Sequence, residues 1–157
     1  MNQRLRPEPA SDDIDFGEMG HSLGLLLRLA QVRVFALFYD KLGHHGLKPG
    51  EFTVLWLIGL NPDSRQGDIA RHVRIKPAHM TKLIGRAVEA GLVTRTIPED
   101  DRRSVRLRLT DAGEAFVADK KREFLGYVAQ ENIGLKEDDF AELIRLLRVF
   151  NGMESPR

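Results

Sequence analysis

The residues between Lys76 and Arg86 are the part of this chain best suited to chemistry. Met80, Leu83, Ile84 and Ala87 recur at spacings of 0, 3, 4 and 7, while His79, Lys82 and Arg86 follow at 0, 3 and 7. On a helix the first set forms one apolar stripe, and the second stands on other faces. Lys76, Pro77 and Thr81 lie near the helix start, where Pro77 costs no hydrogen bond. A helix fixed by its apolar side, with donors and cations on the rest, suits the major groove of DNA. Side chains near its N-terminus would reach base edges and its flanking cations would meet phosphate. An amphipathic surface helix with solvated charges would show the same pattern.

A second set of residues separates these readings. Leu92 to Ile97 and Val105 to Leu109 read as short strands, the second alternating Val105, Leu107 and Leu109 with Arg106 and Arg108. The polar loop between them carries Arg102 and Arg103 at its tip. A guanidinium there fits a narrow minor groove, where negative potential concentrates. Asp101 is placed to pair with an arginine or to cap a loop N–H. Alone, this would be an ordinary exposed hairpin. Following the helix within one basic block, it favours DNA.

The charge distribution agrees. Residues 1–64 carry 6 Lys/Arg against 8 Asp/Glu, residues 65–108 carry 11 against 5, and residues 109–157 carry 7 against 10. A net of +1 thus hides a central block of +6 between acidic flanks, the distribution of a reading module held by elements that avoid phosphate.

The surrounding elements must position these residues. Residues 1–15 read as a disordered arm, with Pro7, Pro9 and a run of acids. Phe16 to Leu42 has helical periodicity, apolar on nearly every face, so it needs cover on several sides. Gly43 and Gly46 end it. A second helix opens at Pro49, with Phe52, Leu55, Trp56 and Gly59 on its buried face. Asn61-Pro62-Asp63 is a turn, and a third helix covers about Gln66 to His72. The fourth, about Pro77 to Ala90, is stopped by Gly91. Thr110 caps a fifth running to about Glu131, and a sixth covers about Glu137 to Phe150.

Composition narrows the function classes. The absence of cysteine excludes a disulfide framework, a zinc finger, a cysteine nucleophile and a thiol redox sensor. No stretch of about 18 uncharged apolar residues is present to span a membrane. The polar N-terminus is not read as a secretory signal, so a cytoplasmic location is expected. No Gly-rich phosphate loop, His-Glu metal motif or Gly-x-Ser-x-Gly occurs, so the chain is not read as an enzyme. Neither cofactor nor metal is expected, since adjacent histidines such as His44 and His45 point apart on a helix.

The stretch from Ile75 to Arg86, continuing through Glu89-Ala-Gly-Leu-Val-Thr-Arg95, resembles the recognition helix and following strand of MarR-type regulators. Asp101-Arg-Arg103, followed by Leu109-Thr-Asp-Ala-Gly113, resembles that family's wing and the next helix start. The resemblance extends from about residue 16 to residue 150. It implies that Asp101 braces the wing, that Arg103 enters the minor groove, and that the first and last two helices form a dimer interface. It also implies a small-molecule pocket, for which His21, Arg28, Phe35, His44 and Trp56 are the candidates here. A Trp beside an Arg or His would suit an aromatic carboxylate. Two departures stand out. Gly85 occupies a position where the family often has Asp, and Lys76 replaces a common small hydroxyl residue.

The resulting expectation is a mainly α chain with a small β-wing: a winged helix-turn-helix of six helices and a two- to three-stranded antiparallel hairpin, in an intertwined helical dimer. Residues 16–47 and 110–157 would form the dimerisation region and residues 48–109 the DNA-binding region. The expected partners are double-stranded DNA with a pseudo-palindromic operator, a second copy of the chain and a small effector, with no membrane. The DNA-binding residues would be Lys76, Pro77, His79, Thr81, Lys82, Arg86, Arg102 and Arg103. The competing reading is a helical interaction module without DNA, which leaves the +6 block unexplained.

Overall fold

The computed structural model describes residues 14–46, 48–99, 101, 104–128 and 133–154. They contain six α-helices: α1 (Leu23–Leu42), α2 (Pro49–Leu60), α3 (Gln66–His72), α4 (Pro77–Glu89), α5 (Asp111–Gly126) and α6 (Glu137–Phe150). Three strands join them: β1 (Ser64–Arg65), β2 (Val93–Thr96) and β3 (Arg106–Leu109). The expected helix beginning at Phe16 is interrupted. Gly17–His21 is a 3-10 turn, and Ser22 is extended before α1 starts. No described helix is long and apolar enough to cross a membrane. The arm over residues 1–13 and the arginines 102 and 103 lie outside the described residues.

The chain divides into two units, one of residues 1–37 and 128–157, the other of residues 38–127. The second holds every buried apolar side chain described. Phe38, Phe52, Val54, Ile58, Met80, Ile84 and Leu107 are fully enclosed there. Rings supplement the aliphatic packing: Phe52 lies 4.7 Å from Phe124, and Phe38 meets Tyr127 edge-on at 5.5 Å. Burial pushes the Tyr127 phenol above its ordinary pKa near 10.

Two glycines set how closely the elements of this unit approach. At Gly59 on α2 a Cβ would stand 2.8 Å from Leu109 Cδ1, so α2 lies directly on β3. At Gly113 it would stand 2.1 Å from the Leu92 carbonyl oxygen. Thr110 explains this second approach. Its N–H donates to Leu92 O (3.0 Å), its hydroxyl donates to Gly91 O (2.6 Å), and the same hydroxyl accepts from Gly113 N–H (3.0 Å). The N-cap of α5 is thereby tied to the turn that ends α4.

The sheet order is β1-β3-β2, with both pairings antiparallel. Val93 pairs with Leu109 and Thr96 with Arg106, while Ser64 faces Leu107 across β1. The two-residue β1 follows the expected Asn61-Pro62-Asp63 turn. It is too short to leave a periodic signal in the sequence.

The other unit contains the Gly17–His21 turn, most of α1, and α6. None of its described residues is buried. Leu23, Leu26, Leu29, Val32 and Phe35 on α1 are exposed, as are Leu143, Ile144, Leu146 and Phe150 on α6. Residues 129–132, where the fifth helix was expected to continue, lie outside the described residues; α5 itself ends at Gly126.

Candidate nucleic-acid interface

The site is built on α4. Lys76 is extended at its N-cap and Pro77 occupies its first turn. Met80, Leu83, Ile84 and Ala87 are buried along one side, as their spacing requires. His79, Thr81, Lys82 and Arg86 are all exposed. The helix is therefore fixed by its apolar stripe, with its polar side chains outside.

The neighbours of these polar residues differ. Thr81 donates its hydroxyl to Pro77 O (3.0 Å) and accepts from Gln66 Nε2 (3.3 Å), joining α4 to the start of α3. Arg86 departs from the expectation of a phosphate-facing cation. Its Nη2 donates to Glu51 Oε1, and only 15% of the Glu51 side chain is exposed. The other oxygen of that carboxylate accepts from Lys48 N–H at 3.1 Å. Glu51 stands in the first turn of α2, so the pair joins α4 to α2. Sequence spacing places a residue on a helix face but cannot show which neighbouring element supplies an acid.

Three arginines, Arg65, Arg106 and Arg108, organise the strands. Arg65 Nη2 donates to Asp101 Oδ2 (3.1 Å), and that carboxylate also accepts from the Ser104 hydroxyl. Arg108 grips Asp63 with two donors, Nε to Oδ1 at 3.2 Å and Nη2 to Oδ2. Arg106 Nη1 donates to the Asp63 carbonyl (3.2 Å). Among the described residues, Asp101 has an arginine partner on β1. Arg65, Glu51, Asp63 and Gln66 were not singled out from the sequence. The bidentate pair at Asp63 had one visible signal, an acid in a turn opposite a strand whose outer residues are arginines.

The ligand candidates fall in both units. His21, Arg28 and Phe35 belong to the first and are exposed. In the second, His44 is exposed, and Trp56 is half-buried, 6.0 Å from Phe52 and from Phe124. Lys121 Nζ stands 5.3 Å above the indole centre. Among the described residues no group of three metal-ligating side chains occurs.

Two helices in sequence, the second exposed and polar on its outer side, followed by an antiparallel strand pair, define a winged helix-turn-helix. The MarR family profile matches residues 47–105. The structure of the transcriptional repressor CouR bound to a 23-mer DNA duplex is 31% identical, spanning 88% of this chain and 98% of that one, with a TM-score of 0.76. A mutant MarR from E. coli complexed with operator DNA shares the fold at 23% identity, covering 86% and 97% of the two chains, with a TM-score of 0.72. A putative transcriptional regulatory protein for the hcr operon of Thauera aromatica is 26% identical over 150 residues, 93% of this chain and 90% of that protein. The chain belongs to the MarR family of transcriptional regulators.

Proposed function

We infer that this protein is a homodimeric, sequence-specific DNA-binding repressor, working in the cytoplasm, that releases its operator when a small ligand binds. One observation carries the reading: α4 buries Met80, Leu83, Ile84 and Ala87 while His79 and Lys82 stand exposed on the unit that also carries the strand pair. A helix so anchored presents its polar side to the major groove as a rigid body. Lys76, Pro77, His79 and Thr81 reach toward base edges, and Lys82 meets phosphate. Arg102 and Arg103, as the family resemblance implies, enter the minor groove. Arg86 holds α4 against α2, and Asp101 braces the wing through Arg65.

The exposed apolar side chains of α1 and α6 support the dimer. Leu26, Leu29, Leu146 and Phe150 are each between 47% and 63% exposed. A soluble monomer rarely leaves so many large apolar groups in water. Two subunits then set two copies of α4 about one helical turn apart on a pseudo-palindromic site. Within residues 38–127, His44 and Trp56 are the candidate effector residues of this reading, with an aromatic carboxylate as the fitting ligand. Such a ligand releases DNA only by favouring the state that does not fit it.

Footprinting of the protein on the DNA upstream of its own gene tests the reading. Two protected half-sites about one turn apart are expected. Absence of any protected site, with no mobility shift at low salt, would overturn it in favour of a helical interaction module.

A further inference from the structure

Gly85 lies on the α4 flank that faces β2. A Cβ there would stand 3.8 Å from Nη2 of Arg95. The same nitrogen donates to the Thr81 carbonyl oxygen at 3.4 Å. The guanidinium carried on β2 therefore rests across α4 between two residues one turn apart. Arg95 is exposed, and among the described residues no carboxylate pairs with it. Three other arginines of this unit, Arg65, Arg86 and Arg108, are each paired with an acid, whereas Arg106 on β3 donates to the Asp63 carbonyl. A carbonyl orients a guanidinium without neutralising it, and leaves most of its N–H donors open.

We propose that Arg95 is a further DNA-binding residue, a phosphate clamp between the recognition helix and the strand pair, left available because position 85 carries no acid. This rests on the DNA-binding reading above. The guanidinium sits at the edge of the exposed α4 face that carries Lys82, and its fork matches two phosphate oxygens. An aspartate at position 85 would place a carboxylate beside it and take up its charge. Glycine also leaves this flank flat, so nothing projects between the clamp and an approaching backbone.

The test is a salt series of fluorescence anisotropy titrations with a fluorescein-labelled duplex of mixed sequence, using the full chain. Arg95→Gln should weaken binding at least about fivefold at low salt and reduce the slope of log K against log salt by about one. Arg95→Lys keeps the charge and should keep the slope. Gly85→Ala makes only ordinary contact and should bind as the unaltered chain. Gly85→Asp should approach Arg95→Gln, and should cost little more when combined with it. A slope unchanged by Arg95→Gln would overturn the proposal and leave Arg95 as a brace on Thr81. Equal cost of Gly85→Asp with and without Arg95 would also overturn it, since the acid would then act alone. If Arg95→Gln lowers the melting temperature, Arg95→Lys and the Gly85 variants carry the comparison. An unaltered protein that binds no duplex at any salt refutes the regulator reading itself.

Discussion

Arg65 and Asp101 are 36 positions apart in sequence, and Arg65 Nη2 donates to Asp101 Oδ2 across 3.1 Å. This bond joins β1, beside the start of α3, to the loop that leads into β3. It sets where that loop leaves the body of the protein. Both side chains are substantially exposed, so solvent screens the pair and its share in stability is about 0.2–1 kcal/mol. A double-mutant cycle with Arg65→Gln and Asp101→Asn should return a coupling in that range. Operator affinity should fall by more than the melting temperature suggests, because orientation of the loop is lost before folding is.

Lys82 and Arg86 should separate cleanly. Lys82→Ala should lower the salt slope of DNA binding by about one unit. Arg86→Ala should leave the slope alone and cost about 1 kcal/mol of stability, since it strips a partner from a Glu51 side chain only 15% exposed. Anisotropy titrations in a salt series, beside urea unfolding, read both effects. A slope lowered by Arg86→Ala would mean that the Glu51 bond opens on DNA.

Gly113→Ala should be severely destabilising, because its Cβ would meet a backbone carbonyl oxygen at 2.1 Å. Overpacking of this kind costs about 1–3 kcal/mol or more. Gly50→Ala, where a Cβ meets nothing within 4 Å, should be neutral or raise stability by up to about 1 kcal/mol. Thermal unfolding by circular dichroism compares the two.

Sedimentation should give a dimer of the 17.8 kDa chain at micromolar concentration. The pair Leu146→Glu and Phe150→Glu puts two acids on the exposed apolar face of α6 and should shift the protein to monomer. A monomeric starting protein would remove the dimer from the proposal.

Tyr127 gives the pH dependence a direction. The folded chain holds its phenol neutral above the ordinary value near 10, so the unfolded chain releases that proton first. The associated stability is complete below that ordinary value and is lost as pH rises through the raised one. Comparing the unaltered chain with Tyr127→Phe by urea unfolding across this range should isolate the loss. No difference between them would place the ring in contact with water.

Much of the fold was legible because periodicity is a local property. Pro49, Gln66, Pro77, Thr110 and Glu137 each sit at or beside a helix start that propensity and capping predict. What sequence missed was relational. Ser22 breaks the first helical run without a proline or glycine at that position. β1 exists only because β3 offers it an edge. The spacing of Arg86 gives no sign of its partner Glu51, which lies 35 residues earlier on another helix. Strand patterning carries no sign of the place of Arg95 across α4, which depends on a glycine ten residues before it. Charge blocks reveal where cations accumulate, but only packing shows which of them are already paired.

β3 is the middle strand of the sheet, held by β1 on one side and β2 on the other, with its end sealed to the start of α5. Its alignment is therefore fixed by contacts that do not involve the segment from Pro98 to Ser104. Apart from Asp101 and Ser104, which tie back to Arg65 on β1, that segment can change its composition through evolution while the frame beneath keeps its register. A protein so arranged can acquire new target sites by rewriting its tip without relearning how to fold.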